Sequence, residues 1–518
     1  MARHPSIDGG ALSRACAIGL VVYATLLRLY FGAHVDLMPE ETYYWNYSRH
    51  LAIGYLDHPP MVAWLIRCGT WVFGDSALGV RVGAVVCCAI TSLFVYRTTK
   101  NLFGEASAVL ALALAQMLPF FFVQGMLMTP DAPLTAAWAG SLYFLERALI
   151  GGRAGAWWWA GVCLGIGMLS KYTIGLLGLG ALLFMLADPR SRHWLRRWEP
   201  YAAALLAFAI FSPVIVWNAE HHWASFAFQT ARRLAGRPQF ALHELIGASI
   251  VLLTPTGFVA AIRGLGSRRR DAGPQGAAAR GRLRWIRFAL LVPLAVFALF
   301  SLRRAVKLDW TGAPWVAALP LIAFEIVDAG KMAATGLRRW VRASCRPTIL
   351  ALCLIYPLGL YHLADGLPSI GYSRHMELLP VGWRELGRRI DRVAAHYRQD
   401  HGAEPLVVGM DRYVIASELA FYGSGRPDPV GDTTSGYLFG GMGLMYERWL
   451  PAARQQGRTL LLVSFDPQSL NAPPVRAAVG SLGPIVSGPL IRRGRFIRDY
   501  YYRFGYGYRS PEPRPSAR

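Results

Sequence analysis

The residues best suited to chemistry lie in an aromatic segment, VDLMPEETYYWNYSRHLAIGYLDHPPMVAWL, at residues 35–65. Its ionisable side chains include Glu40, Glu41, Asp57 and His58. Aromatic rings stack on the apolar face of a sugar, and a carboxylate can take a proton from a hydroxyl group as a general base. The segment therefore indicates a sugar site. An amphipathic helix at a membrane interface, carrying an aromatic belt, is the alternative interpretation.

Further ionisable residues lie at the ends of apolar segments, where burial of a charge in lipid would be costly. Asp131 lies in MTPDAPL and either caps a helix or belongs to a site. Lys171 interrupts a long apolar stretch, so its amine must reach water or an anion such as a lipid phosphate. Lys307, in RRAVKLDW, is expected to need an anionic partner as well.

The composition indicates what kind of scaffold positions these residues. Of the 518 residues, 54% are hydrophobic and 16% are charged, whereas soluble domains carry about 25% charged residues. A polytopic membrane protein fits these values, and intrinsic disorder is excluded. Seven cysteines, mostly in apolar runs, argue against a disulfide scaffold. Glu220, His221 and His222 are a weak candidate for metal ligands, and we assign no metal site.

Apolar segments of roughly 20 residues cross a bilayer as helices, and the chain has about eleven candidates, so we predict a mostly α, polytopic membrane helix bundle. The predicted spans are 11–31, 77–96, 107–123, 132–149, 157–169, 174–187, 201–217, 245–262, 288–302, 314–327 and 348–364. The two spans on either side of Lys171 are short and could form one broken helix.

The distribution of lysine and arginine predicts the orientation in the membrane. With the N-terminus in the cytoplasm, all strongly basic loops fall on the cytoplasmic side, as the positive-inside rule requires. The cytoplasmic loops are 97–100, the region of Arg147 and Arg153, 188–198, 263–287 and 330–346. They account for much of the net charge of +23, so nucleic acid is not an expected partner. The aromatic segment and the chain after Asp365 then lie outside.

The chain after Asp365 changes in character, so we predict two domains: a membrane domain at 1–365 and a small extracytoplasmic α/β domain at 366–518. Apolar residues at helical spacing and short apolar runs predict its elements. The predicted helices are 381–399 and 412–423, and the predicted strands are 405–411 and 459–466. The end of the chain, from Arg498, is expected to fray because it becomes rich in proline.

The motifs of the chain resemble those of the glycosyltransferase family 39 and aminoarabinose-transferase group, which includes dolichyl-phosphate-mannose-protein mannosyltransferases. The matching segments are residues 39–65, MTPDAPL, LSKYT, SPVIVWNAEHHWASFAFQ and KLDWTGAPW, in the family's order between Val35 and Ile322. Family members have the C-type glycosyltransferase fold. They move a sugar from a polyprenyl-phosphate carrier to an acceptor at the outer face of the membrane. The resemblance therefore implies such an enzyme in the cytoplasmic (inner) membrane.

The resemblance also implies roles for single residues. It places the catalytic carboxylate at Glu40, with Glu41 as its rival, and a second catalytic carboxylate at Asp131. Many relatives have aspartate at the position of Glu40, so the glutamate is a departure from the family pattern. The implied substrate-binding residues, several of them candidate contacts of the carrier phosphate, are Tyr43, Tyr44, Asp57, His58, Lys171, Arg232, Arg233 and Lys307.

The expected partners are a polyprenyl-phosphate-linked sugar donor, membrane lipids, and a lipid, glycan or protein acceptor such as lipid A or lipopolysaccharide. No cofactor is assigned, although a divalent cation stays open. A transporter or flippase of a lipid-linked sugar is the alternative, but the sequence lacks the matching halves with broken helices that this class shows. A membrane scaffold is a third hypothesis, and it would not require these ionisable residues.

The charge distribution generates a test of the orientation. A cysteine introduced at Ser267 should be labelled only from the cytoplasmic side, and one at Ser424 only from the outside, because the basic loop at 263–287 stays in the cytoplasm. A membrane-impermeant thiol reagent applied to intact cells and to inverted vesicles measures both positions. Labelling of the Ser267 position in intact cells would mean that the orientation is inverted.

Overall fold

The computed structural model describes residues 9–234, 238–266, 273–304, 307–328, 336–367, 372 and 379–510. Helices predominate in these ranges. The α-helices are α1 Gly9–His34, α2 Pro39–Arg49, α3 Met61–Phe73, α4 Ala77–Phe103, α5 Glu105–Met117, α6 Pro119–Gln124, α7 Asp131–Leu149, α8 Ala156–Met168, α9 Gly175–Ala187, α10 Glu199–Glu220, α11 Ala224–Leu234, α12 Leu242–Gly266, α13 Gly273–Ser301, α14 Ala318–Asp328, α15 Gly336–Asp365, α16 Trp383–His401, α17 Val414–Tyr422, α18 Tyr446–Trp449 and α19 Pro473–Ala477. The strands are β1 Leu406–Gly409, β2 Thr433–Ser435, β3 Leu460–Ser464, β4 Val479–Leu482, β5 Val486–Arg492 and β6 Arg495–Tyr508.

The chain divides into two compact units. The first, here called the helical unit, comprises Met1–Tyr30, His58–Val62 and Arg81–Pro357. The second, here called the α/β unit, comprises Phe31–Asp57, Ala63–Val80 and Leu358–Arg518. Residues 31–57 therefore group with the chain after Leu358, an association that the sequence did not predict.

All eleven predicted spans fall on helices, which confirms the mostly α membrane bundle. The span at 107–123 is interrupted between α5 and α6, where Pro119 begins the second helix. The span at 245–262 is kinked inside α12 at Thr254, next to Pro255. Among the described residues, six helices are long and apolar enough to cross a membrane, and four apolar helices are shorter. The number of spans therefore stays a prediction. The core of the helical unit is apolar and contains Trp138, Phe184 and Trp285, whose side chains are fully buried.

The helical unit contains a break at Lys171. Helix α8 ends at Met168, the backbone of Lys171 is extended, and a short 3-10 turn at Tyr172–Ile174 leads into α9. The two apolar segments around the lysine are therefore separate helices. A charged side chain at such a break can leave the apolar helix surfaces and turn toward a partner.

The α/β unit is built on a six-stranded sheet in the order β2-β1-β3-β6-β4, with β5 paired to β6. Strand β1 is parallel to β2 and β3, and β6 is antiparallel to its neighbours. The predicted strands at 405–411 and 459–466 are confirmed as β1 and β3, and the predicted helices are α16 and α17. Helix α16 buries Leu386 and Ile390 in the same core as Val407 and Leu461 of the sheet.

The prediction that the chain frays from Arg498 is wrong for the residues up to Ser510. Residues Arg495–Tyr508 form β6, which pairs with β3, β4 and β5 and so lies inside the sheet. The aromatic residues alternate along this strand, and alternate side chains of a strand face the same side of a sheet. The proline-rich residues 511–518, on which the prediction rests, lie outside the described residues.

A buried carboxylate joins the aromatic segment to the rest of the α/β unit. Asp36 is fully buried; its Oδ2 accepts hydrogen bonds from Arg492 Nη1 at 3.1 Å and from the Gly382 backbone N–H at 3.1 Å. The guanidinium of Arg384 lies 3.6 Å from Oδ1. Next to it, the Leu37 N–H donates to the Tyr422 hydroxyl at 2.7 Å. Removing one partner of such a buried ion pair costs about 3–5 kcal/mol, so these contacts fix the start of α2.

Candidate active site

Helix α2 presents Glu40 and Glu41 in different directions, because successive residues on a helix point about 100° apart. Glu41 is fully buried, and its Oε2 accepts the Met38 backbone N–H at 2.9 Å. This contact satisfies a backbone donor at the start of α2, where Pro39 occupies the first turn. Glu41 therefore has a structural task in capping the helix.

Glu40 is half-buried and makes no hydrogen bond or ion pair with another described residue. It lies near the aromatic rings of the same unit, and its charge acts on two tyrosine hydroxyls. Burial and, next, the charge of Glu40 raise the pKa of Tyr413 above its usual value. Burial, followed by the charge of Asp57, likewise raises the pKa of Tyr44, to which Glu40 also contributes. Glu40 is thus a carboxylate that is accessible and is not committed to the protein's own donors.

Asp57 lies within the aromatic cluster of the same unit. Its Oδ1 accepts hydrogen bonds from the hydroxyls of Tyr47 and of Tyr43, the latter at 3.2 Å. Burial raises the pKa of Asp57, and these tyrosine hydrogen bonds oppose the increase. The Tyr43 hydroxyl also accepts the Met445 N–H at 3.3 Å. The Asp57 carboxylate therefore holds the hydroxyls of two tyrosines of α2.

The residues after position 400 complete this cluster, and sequence reasoning missed them. The ring of Tyr413 lies 4.8 Å from that of Tyr43, and Trp449 stacks on His50 with 4.6 Å between ring centroids. The ring of Tyr446 also lies near that of Tyr43, with 6.4 Å between the ring centroids. No sequence signal links these positions to α2, because about 370 residues separate them along the chain and only the fold brings them together.

The helical unit contains a separate cluster of two carboxylates and one lysine. Lys171 Nζ lies 2.9 Å and 3.0 Å from the two carboxylate oxygens of Asp131 and 3.8 Å from Asp309 Oδ2. Asp131 is the first residue of α7, and both oxygens of its carboxylate accept hydrogen bonds from Lys171. Its position in the first turn still suits the helix dipole. Its carboxylate binds Lys171, so the anion that this lysine requires is supplied at least in part by the protein.

Lys307 differs from Lys171 in its surroundings. It is exposed and forms no ion pair within 4.0 Å among the described residues, although its charge reaches Asp309. Burial opposes the charge of Asp309, yet the neighbouring Lys171 and Lys307 hold its pKa below the usual value. Arg232 and Arg233 are in the last turn of α11, and their side chains lie outside the described part of the chain.

Two further contacts position the Lys171 break. The Met61 N–H donates to the Leu169 carbonyl at 3.0 Å, which places the segment of the half-buried His58 beside the end of α8. The Tyr172 hydroxyl lies 3.0 Å from Ser225 Oγ, and the buried Asn218 accepts the Ser225 N–H at 3.1 Å. The NAEHHWASF motif therefore orders the connection between α10 and α11 around Tyr172.

His221 of this motif is part of the packing. His221 stacks on Trp217, with 4.1 Å between ring centroids, and its Nδ1 lies 2.8 Å from the Trp217 carbonyl oxygen. In the part of the chain that the structure describes, no group of three or more His, Cys, Asp or Glu residues is placed to hold a metal ion.

Residues 57–217 match the family model described as dolichyl-phosphate-mannose-protein mannosyltransferase. The chain is 25% identical over 356 residues to the lipopolysaccharide core galacturonosyltransferase of Rhizobium johnstonii, covering 64% of this chain and 69% of the relative. It is 26% identical over 322 residues to the undecaprenyl phosphate-alpha-4-amino-4-deoxy-L-arabinose arabinosyl transferase of Pseudomonas aeruginosa, covering 55% of each chain.

Among solved structures, the chain is similar to ArnT from Cupriavidus metallidurans with undecaprenyl phosphate bound, at a TM-score of 0.60 and 16% identity. The match covers 94% of this chain and 98% of that one. At this identity the likeness shows the fold. The sequence motifs and these matches make the chain similar to the glycosyltransferase family 39 and aminoarabinose-transferase group, and its fold is the C-type glycosyltransferase fold of the solved ArnT structure.

Proposed function

We propose that this protein transfers a sugar from a polyprenyl-phosphate carrier to a cell-envelope acceptor, with Glu40 as the general base. The observation that carries the proposal is the accessible Glu40 carboxylate, without a hydrogen-bond partner among the described residues, beside the ordered tyrosines of α2. The named relatives, a galacturonosyltransferase and an arabinosyl transferase, support this reaction class. The envelope acceptor is lipid A, lipopolysaccharide, another surface glycan or a protein.

The proposed reaction needs two kinds of group. When the bond between the sugar and the carrier phosphate breaks, negative charge develops on the departing phosphate, and a nearby cation stabilises it. The acceptor hydroxyl loses its proton as it attacks the sugar, and a carboxylate takes that proton. Glu40 is the proposed base, and Lys307, which forms no ion pair within the described ranges, is the proposed cation.

The contacts of the other carboxylates suggest different tasks for them. Glu41 caps α2, so we assign it a structural function. Asp131 holds Lys171 and thereby supports the geometry of the break, and Asp57 orders Tyr43 and Tyr47. Of the implied phosphate contacts, Lys307 is favoured over Lys171, because the amine of Lys171 is already bound by carboxylates. The remaining candidate substrate contacts are His58, Tyr44, Arg232 and Arg233.

The transporter or flippase hypothesis has no support from the relatives, which are named as transferases. The protein is a multi-pass protein of the inner membrane. We further propose that its N-terminus is cytoplasmic and that the α/β unit lies on the outer, periplasmic side. The distribution of basic loops supports this orientation.

The reaction class can be tested in the envelope and in vitro. Deletion of the gene should remove one pentose or hexose mass increment from an envelope lipid, glycan or protein, and the parental gene should restore it. Mass spectrometry of the surface lipids and glycans measures this change. The purified full chain should transfer the same sugar from its polyprenyl phosphate to that acceptor. If the increment is lost but the purified full chain transfers no sugar, and carrier-linked sugar accumulates on the cytoplasmic side of the deletion strain, the protein acts as a flippase.

The pair Glu40 and Glu41 provides a matched test of the base. Glu40→Gln should keep the fold but lower kcat about 10²–10⁴-fold, because the amide cannot take up the acceptor proton. Glu41→Gln should retain most of the activity and lower the thermal stability instead, because Glu41 caps α2. Initial transfer rates and thermal unfolding of both variants provide the comparison. A fully active Glu40→Gln enzyme would show that Glu40 is not the base and would make Asp57 the next candidate.

The exposed position of Lys307 provides a test of phosphate binding. Lys307→Met should weaken use of the polyprenyl-phosphate donor about tenfold, since a charge-assisted hydrogen bond contributes about 1.5–3 kcal/mol. The fold should persist because the side chain is exposed. Lys307→Arg should retain most of the donor affinity as the charge-conserving control. If the donor KM of Lys307→Met equals that of the parent, Lys307 does not contact the carrier phosphate.

A further inference from the structure

The α/β unit has a groove away from the residues around Glu40. The groove lies between α16 and β6 and has a volume of about 420 Å³. Its helix side carries Arg389, Arg392, His396 and Asp400, and its strand side carries Tyr500, Tyr502, Phe504 and Tyr506. None of these residues belongs to the cluster that contains Glu40, Asp57 and Tyr413.

The local sequence explains why these side chains meet. Residues 389, 392, 396 and 400 recur every three or four positions, so they share one face of α16. Residues 500, 502, 504 and 506 alternate along β6, so they share one face of the sheet. The groove is formed where the polar flank of the helix faces this row of aromatic rings.

The strand side forms an aromatic wall. The rings of Tyr500 and Tyr502 lie 6.3 Å apart at an angle of 15°, and those of Phe504 and Tyr506 lie 6.2 Å apart at 21°. Tyr397 of α16 stacks on Phe504, with 5.0 Å between the ring centroids. Nearly parallel rings that line a groove offer the flat apolar surface on which the C–H face of a sugar packs.

Polar groups in the groove are left without partners. The hydroxyls of Tyr500, Tyr502 and Tyr506 make no hydrogen bond with another described residue. Arg389 is half-buried and has no ion pair or hydrogen bond within the described ranges. A guanidinium that is partly removed from water without a carboxylate partner favours an anion from outside the chain.

The charge balance of the groove indicates the same ligand chemistry. Arg389 and Arg392 add two positive charges, and the one lining carboxylate, Asp400, lies 3.5 Å from His396 Nε2. A cationic ligand would be repelled by the arginines, and a neutral apolar ligand would leave them unpaired. A sugar chain that carries phosphate or carboxylate groups satisfies the rings, the hydroxyls and the arginines together.

We propose that this groove binds an anionic oligosaccharide segment of the envelope acceptor. The identity of the ligand as part of the acceptor rests on the proposed function, whereas the groove itself rests only on the geometry of the α/β unit. Binding there holds a phosphorylated or acidic sugar chain on α16 and β6. It therefore acts on the affinity for the acceptor and not on the chemical step.

A direct binding experiment tests the groove without any transfer reaction. The purified full chain, carrying Glu40→Gln to prevent turnover, is titrated by calorimetry with deacylated lipopolysaccharide oligosaccharide. Arg389→Gln and Tyr506→Ala should each weaken binding about tenfold, the expected effect of losing a charged hydrogen bond or a stacking contact. Arg388→Gln and Tyr501→Phe are the matched controls, since both residues lie outside the groove lining and should bind like the parent.

Modified ligands distinguish the source of the negative charge. The oligosaccharide is tested after removal of its phosphates and, separately, after reduction of its sugar carboxylates. The modification that weakens binding identifies the anion that Arg389 recognises. Raising the salt concentration should weaken oligosaccharide binding by the parent more than binding by Arg389→Gln, because salt screens an exposed ionic contact. If the fully neutralised oligosaccharide binds as tightly as the native one, or if Arg389→Gln binds like the parent, the proposal is wrong.

Kinetic measurements separate this proposal from the proposed function. In the chain with Glu40 intact, Arg389→Gln should raise the acceptor KM about tenfold and leave kcat and the donor KM unchanged. If the parent transfers no sugar but Arg389→Gln still loses oligosaccharide binding, the proposed groove is supported and the proposed reaction class is wrong. If transfer occurs and the acceptor KM of Arg389→Gln equals that of the parent, the groove does not bind the acceptor.

Discussion

A charge removed from water needs a partner, and this constraint determines which ionisable residues of the chain remain available for chemistry. Asp36 is satisfied by Arg492 and Gly382, and Glu41 by the Met38 backbone. Asp131 is satisfied by Lys171. The fully buried charges thus hold the fold in place, while Glu40 and Lys307, which are less buried, keep groups that a substrate can use.

This distribution separates positioning from catalysis in the α/β unit. The Asp36 contacts fix the start of α2, and the hydroxyls of Tyr43 and Tyr47 fix its middle against Asp57. The helix is therefore rigid where it presents Glu40. A rigid scaffold matters for a general base because proton transfer requires the carboxylate to lie within hydrogen-bond distance of the acceptor hydroxyl.

The chain after residue 379 supplies contacts to α2 and forms the groove. It supplies Arg492 and Tyr422 to the start of α2, and Tyr413 and Met445 to the tyrosine cluster. Strand β6 also carries the aromatic wall of the groove on α16. One short α/β unit thus combines support for the candidate active site with a surface for the proposed recognition of an anionic sugar chain.

The sequence by itself predicted the apolar helices, two of the strands and the resemblance to the family, because hydrophobic length, short-range periodicity and ordered motifs are local properties. It also identified Glu40, Asp131 and Lys171 as candidate residues. It could not choose between Glu40 and Glu41, which are neighbours of the same type. Only the tertiary structure distinguished them, since it shows that Glu41 is buried and caps α2 while Glu40 is not. The tertiary structure alone also brought Arg492 to Asp36 across 456 residues and placed β6 inside the sheet, because long-range pairing depends on the whole fold.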